Sequence, residues 1–138
     1  MASQEREEKM NDILMLANLL FSETKDVDDA KGIAHVVKNR VARPDRFGGT
    51  MQEVIFAPSQ FSGVNTNEWK KATSGKLTKD EENIYKRFLI ISKGVLDGTI
   101  KDPTGGADHY VNLKLARPSW AKKMEKKIKI GQHTYLKE

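Results

Sequence analysis

The stretch Ile13-Leu14-Met15-Leu16-Ala17-Asn18-Leu19-Leu20-Phe21, followed at once by Ser22-Glu23-Thr24-Lys25, decides how the rest of the chain is read. Ile13, Leu16, Ala17 and Leu20 recur at spacings of three and four, the repeat that brings side chains to one face of a helix. The spacing predicts a first helix from about Gln4 to Ser22. Glu23 follows directly on this core-forming face, which predicts a carboxyl at the edge of the apolar interior. Partial desolvation there favours the neutral acid near neutral pH, the form a general acid must hold. A lone helix-end glutamate is ordinarily just an exposed charge, so the residues downstream decide whether Glu23 is more.

Working outward, Asp26 is the predicted N-cap of a second helix, with Asp28 and Asp29 as capping acids in its positive first turn. Ala30, Ile33, Ala34, Val37 and Val41 form its inward stripe, and Arg43-Pro44 ends it before the flexible Gly48-Gly49. Thr50 opens a short helix from Met51 to Phe56, stopped by Pro58. Ser59 to Lys76 has little periodicity and reads as an ordered loop with one helical turn near Trp69. Thr78-Lys79-Asp80-Glu81 is a capping-box pattern opening a helix to about Leu96, with Ile84, Phe88, Ile91 and Val95 inward. Beyond Gly98 the pattern changes: His109-Tyr110-Val111-Asn112, Lys127-Ile128-Lys129-Ile130 and His133-Thr134-Tyr135-Leu136 read as strands, the last two joined through Gly131-Gln132. The expected class is α+β, mainly helical, with a small antiparallel β element near the C-terminus.

The length of 138 residues suits a single domain, residues 1–138, with a genuine core. No apolar run approaches the roughly 18 residues of a membrane span. The opening Met-Ala-Ser-Gln-Glu-Arg-Glu-Glu-Lys-Met mixes charges instead of running basic and then apolar, so no secretory leader is expected. The absence of cysteine excludes disulfides, cysteine nucleophiles and thiolate zinc sites. The three histidines lack ligand spacing, and neither a metal nor a cofactor is expected. From Asp108 onward there are eight Lys or Arg against three Asp or Glu, so the whole net charge of +5 resides there. Such a basic end suits an acidic partner, such as nucleic acid, anionic lipid or the bacterial wall, or simply solvates the surface. No helix presents a basic reading face, which argues against nucleic acid.

Four segments then carry a resemblance. Ser22-Glu23-Thr24-Lys25 keeps a glutamate and a following base, and its Glu-Thr pair is similar to the Glu-Ser pair of lytic transglycosylases. Val36-Val37-Lys38-Asn39-Arg40-Val41 supplies a Val-x-Asn-Arg-Val pattern. Val54-Ile55-Phe56-Ala57-Pro58-Ser59-Gln60-Phe61-Ser62 supplies a Val-Ile-x-x-Pro-x-Gln-Phe-Ser pattern. Asp102-Pro103-Thr104-Gly105-Gly106-Ala107 joins a rigid turn to a flexible one just before the polar-aromatic strand. With Trp120 and Gly131-Gln132-His133-Thr134-Tyr135, these segments resemble the spore-cortex-lytic, SleB-like cell wall hydrolases in order and spacing from about Leu16 to Leu136.

That resemblance implies a lysozyme- or lytic-transglycosylase-like body and cleavage of peptidoglycan glycan strands with Glu23 as the catalytic acid. It implies a non-hydrolytic route giving a 1,6-anhydro product, with plain hydrolysis by a muramidase or glucosaminidase close behind, and a wall-binding or virion structural relative as a third reading. Thr24 is placed near Glu23 or a substrate group. Gln60 and Ser62 offer hydrogen bonds to sugar substituents, while Phe61 either stacks on a sugar or anchors its loop in the core. Tyr110 and Asn112 share a strand face and are expected toward the cleft, with His109 on the other face, structural or substrate-binding. Asn39 and Arg40 read as ties between helix ends and loops, away from substrate. Asp102 is expected to be locked in its turn. With no secretory leader, a phage or prophage lysis protein is expected, a monomer reaching the wall through holin-type release or in a virion.

Overall fold

The structure, a computed structural model, describes residues 2–138. Helix α1 spans Ala2–Glu23. Its first half is exposed, and burial begins with the apolar stretch, where Leu16, Ala17, Leu19, Leu20 and Phe21 have no accessible surface. Carbonyls of its last turn stay satisfied where the helix ends. Lys25 Nζ donates to the Phe21 carbonyl and lies 3.8 Å from the centre of the Phe21 ring, while Thr24 N–H closes on Leu20 O at 2.9 Å. A cation at a helix C-terminus also meets the negative end of the macrodipole.

Helix α2, Val27–Val41, starts as expected at Asp26, whose carboxylate accepts from Asp28 N–H at 2.8 Å and Asp29 N–H at 3.2 Å. Pro44 does more than stop it. The proline occupies the first position of a one-turn helix α3, Pro44–Phe47, where its missing N–H carries no cost. Helix α4, Met51–Ile55, is capped by Thr50. Helix α5, Asn67–Ser74, extends the one helical turn expected near Trp69; Thr66 caps it at one end and left-handed Gly75 (φ 73°) at the other. Helix α6, Lys79–Leu96, opens with the full Thr78–Glu81 capping box. The core forms where α1 meets α5 and α6 and where α2 meets α4 and α6. No helix among the described residues is long and apolar enough to cross a membrane.

Strands β1 (His109–Val111), β2 (Glu125–Ile130) and β3 (His133–Lys137) form an antiparallel sheet in the order β1-β3-β2. Tyr110 stands opposite Tyr135, and Ile130 opposite His133. Central β3 is buried from His133 to Leu136, whereas β2 turns Lys126 and Lys129 to solvent along a sheet edge, where charge discourages further pairing. A turn of 3-10 helix, Ser119–Lys123, lies between β1 and β2. Gly32 brings α2 against the sheet: a Cβ there would stand 2.5 Å from Tyr135 Cζ. Beneath that contact Asp29, fully buried, accepts from the Tyr135 hydroxyl (2.6 Å to Oδ1) and meets His133 Nδ1 at 2.7 Å. Asp29 is therefore the clamp between α2 and β3 and not merely a capping acid.

Candidate active site

Glu23 is the last residue of α1, and its carboxyl reaches under the segment that joins α4 to α5. Gly63 N–H donates to Glu23 Oε1 at 3.1 Å. Only glycine permits that approach, since a Cβ at 63 would lie 2.9 Å from Ser22 Cβ and 3.1 Å from Glu23 Cδ. The segment holds its own shape through Gln60 N–H to Ala57 O (3.3 Å) and Thr66 Oγ1 to Gly63 O (2.6 Å). Ser59 and Asn65 take left-handed backbone, φ 60° and 67°, conformations that are costly for residues other than glycine and cluster where a surface is pre-shaped.

Between this segment and β1 lies a cleft of about 330 Å³, lined by Glu23, Arg40, Ser59, Gln60, Phe61, Ser62 and Tyr110. Glu23 is the single carboxyl in its wall. Burial raises the Glu23 carboxyl above the ordinary glutamate value; the Gly63 N–H, the Tyr110 and Ser62 hydroxyls and nearby His133 pull the other way without cancelling it. The Tyr110 hydroxyl is buried beside Glu23 without completing a well-formed hydrogen bond. Burial and the Glu23 charge both push its own ionisation well above the ordinary tyrosine range, so it remains a donor. The Tyr110 ring is fixed by Phe61 (6.2 Å, near-parallel), His133 (5.0 Å, edge-on) and Tyr135 (5.9 Å). Chemically, the cleft offers one carboxyl whose proton is held more tightly by burial, the hydroxyls of Ser59, Ser62 and Tyr110, and the Arg40 cation.

A larger depression, about 870 Å³, runs along the exposed half of α1 beside Met51, Phe56 and Trp69. Its acids are Glu8 and Asp12; partial burial, with Glu8 adding to it, raises Asp12. Neither carboxyl receives the backbone donor and buried hydroxyl that surround Glu23, so the smaller cleft is the better seat for proton transfer.

The structure thus brings together Glu23, Gln60, Phe61, Ser62 and Tyr110. Phe61 is 7% exposed, and it serves both as core and as cleft wall. Thr24 lies outside the cleft lining: it is buried, and its Oγ1 accepts from Asp26 N–H at 3.1 Å. His109 faces away from Tyr110 as alternation requires, with Nδ1 2.8 Å from Asp108 Oδ1 and its ring against Trp120 and Phe47. Asn112 falls beyond the end of β1, accepts from Lys114 N–H, and lines a separate basic groove with Lys114, Arg117 and Lys129. Asn39 ties α2 to the 102–107 turn through Asp102 Oδ2 (3.0 Å) and Ala107 O (2.8 Å), and Asp102 is locked by Thr104 and Gly106. Arg40, read from sequence as a tie alone, also stands in the cleft wall. Ser59 joins the lining for a reason sequence does not carry, its left-handed backbone.

Known proteins share sequence and fold with this chain. A spore cortex-lytic enzyme of Halalkalibacterium halodurans is 26% identical over 127 residues, covering 91% of this chain but 34% of that protein. The chain therefore spans about a third of the length of that curated relative. The solved catalytic domain of the germination-specific lytic transglycosylase SleB from Bacillus anthracis superposes with a TM-score of 0.66 at 28% identity, covering 92% of this chain and 94% of that one. The Bacillus cereus SleB catalytic domain gives 0.65 at 30% identity, covering 92% and 90%. The sequence profile of the Cell Wall Hydrolase family matches residues 25–136, and with the SleB catalytic-domain fold in place the chain belongs to that family.

Proposed function

We propose that this chain cleaves peptidoglycan glycan strands between N-acetylmuramic acid and N-acetylglucosamine as a lytic transglycosylase, with Glu23 as the single general acid and base. The observation that carries this reading is one carboxyl, raised by burial, in a cleft whose wall has no second carboxyl. The family and the two SleB catalytic domains support it. A two-carboxylate glycosidase needs a partner acid across the bond. The nearby candidates are engaged elsewhere: Asp26 caps α2, Asp29 holds His133 and Tyr135, and Asp102 is closed in its turn.

In the proposed reaction the neutral Glu23 carboxyl gives its proton to the glycosidic oxygen as the bond to the muramyl anomeric carbon breaks. Positive charge on that carbon is met by the substrate's own N-acetyl group. The Glu23 carboxylate, stabilised by Gly63 N–H and the Tyr110 hydroxyl, then takes the proton of the muramyl 6-hydroxyl. That oxygen closes on the anomeric carbon, giving a 1,6-anhydro ring and returning Glu23 to its starting form without consuming water. Gln60 and Ser62 bind sugar substituents and Phe61 contacts a sugar face. Thr24, His109 and Asn112 lie outside the cleft lining and support its surroundings. Action as a monomer, with holin-type release or virion delivery to the wall, belongs to the same proposal, and the sedimentation coefficient tests the monomer.

Mass spectrometry of fragments released from purified peptidoglycan tests the reaction. Anhydro-muramyl ends are the expected product. Reducing ends instead would make the enzyme a hydrolytic muramidase or glucosaminidase, and intact cortex and ordinary peptidoglycan would make it a wall-binding or virion structural relative.

A further inference from the structure

Arg40 is 4% exposed, yet among the described residues no carboxylate forms an ion pair with it. Its neighbours take the available acids: Arg43 lies 3.0 Å from Asp108, and Arg46 lies 2.6 Å from Glu138. All three guanidiniums surround the Phe47 ring, at 4.9, 5.4 and 4.6 Å. Three cations therefore share two carboxylates, and the one left over is the buried one. A buried charge is ordinarily paired, because desolvation without a counter-ion is costly.

The donors of Arg40 are only partly used. Nε donates to Asp108 O at 2.7 Å and Nη1 to Gln60 Oε1 at 3.2 Å. A guanidinium has five N–H groups, so three remain, one on Nη1 and two on Nη2, the pair of nitrogens whose shared edge matches a carboxylate in fork geometry. Phe47 and Phe61 cover its neighbourhood at 4.9 Å each, leaving an edge-on approach. Arg40 and Gln60 also stand where the Glu23 cleft meets a recess of about 170 Å³ that contains Arg46. An anion bound at Arg40 would thus hang from the same sugar region that Glu23 acts on, with a second cation behind it.

We propose that Arg40 is a specificity-determining residue that binds a carboxylate of the peptide stem borne by the muramyl unit, at the junction of the Glu23 cleft and this recess. The assignment rests on the reading of the chain as a peptidoglycan-cleaving enzyme. The stem is favoured over a teichoic-acid phosphate because it is attached to the sugar whose bond is broken, within reach of both residues.

The test compares soluble glycan strands carrying native stems with the same strands whose stem carboxylates have been converted to neutral methylamides. For the unaltered protein, kcat/KM is expected to favour native strands by about ten- to a hundredfold, the scale of a charge-assisted hydrogen-bond pair. Arg40→Gln brings that ratio close to one, and Arg40→Lys, which keeps the charge and protects folding, lowers it severalfold. A ratio near one in the unaltered protein, or an unchanged ratio in either variant, overturns the proposal. The same ratio is read as affinity in a Glu23→Gln background, where no turnover is needed. If neither strand is cut but the affinity ratio persists and collapses with Arg40→Gln, the cleavage reading fails and the Arg40 site stands. If anhydro products form with a ratio of one in both arms, the Arg40 site fails and cleavage stands.

Discussion

Glu23 sits between opposed influences, and their balance makes its pH behaviour testable. Burial disfavours its charge, while Gly63 N–H, the Tyr110 and Ser62 hydroxyls and His133 favour it; burial prevails. Activity that needs the neutral acid falls as pH rises through the elevated Glu23 value. Tyr110→Phe removes a donor to the carboxylate, so the Glu23 value rises further. The alkaline limb of kcat/KM against pH then moves to higher pH, at a lower plateau rate; a limb that stays in place or moves to lower pH contradicts the assignment. Stability follows by linkage. A carboxyl whose folded value lies above its unfolded one is penalised once ionised. The penalty is absent below the ordinary value of 4.5 and grows as pH rises through the elevated one. Glu23→Gln escapes it, so its melting temperature exceeds that of the unaltered protein near pH 8, and the gap closes below pH 4.5. Equal or lower melting at pH 8 would show that the charge is not penalised.

At the scale of elements, the sheet and the 56–66 segment are held to the helices by a few close approaches. Asp29 accepts from buried donors 104 and 106 residues away in sequence. Asp29→Ala strands both donors and is expected to cost about 3–5 kcal/mol. Asp28→Ala, one residue earlier and exposed, is expected to cost under about 1 kcal/mol. Urea denaturation of the pair checks the contrast, and equal costs would contradict the clamp. Gly63→Ala is expected to cost about 1–3 kcal/mol through overpacking against Ser22 and to lower activity by moving the Gly63 N–H from Glu23. What was legible in sequence divides along the same line. The Asp26 cap, the Thr78–Glu81 box and the α1 stripe depend on residues within four positions, and all three appear in the structure. Of helix α5 only a turn near Trp69 was legible, because only Trp69 and Ala72 are buried and two positions make no periodic stripe; Thr66 and Gly75 were the local signals for its full extent. The cleft location of Arg40 and the burial of Asp29 rest on partners 68 and about 105 residues away, Asp108 and the His133–Tyr135 strand, and no local pattern encodes such contacts.

For the whole molecule, charge is segregated. The residues from Asp108 onward carry the full net charge of +5, and Lys122, Lys123, Lys126 and Lys129 are exposed there. Attraction of this end to an anionic wall predicts weaker sedimentation with purified cell walls as the Debye length shrinks from about 30 to 10 Å between 0.01 and 0.1 M salt. Replacing those four lysines with glutamine flattens the dependence; binding that ignores salt contradicts an electrostatic role. The fold itself supplies a different requirement. The end of α1, the 56–66 segment and β1 meet around Glu23, so one carboxyl can be desolvated while its neighbours in the wall remain donors. The measurement that tests this most directly is turnover of purified peptidoglycan by Glu23→Gln, with circular dichroism confirming an unaltered fold. Loss of roughly 10²–10⁴-fold in the rate of glycan cleavage is expected for removal of the general acid. A folded Glu23→Gln protein that keeps more than about a tenth of the activity would contradict the account, since general-acid removal costs far more than that.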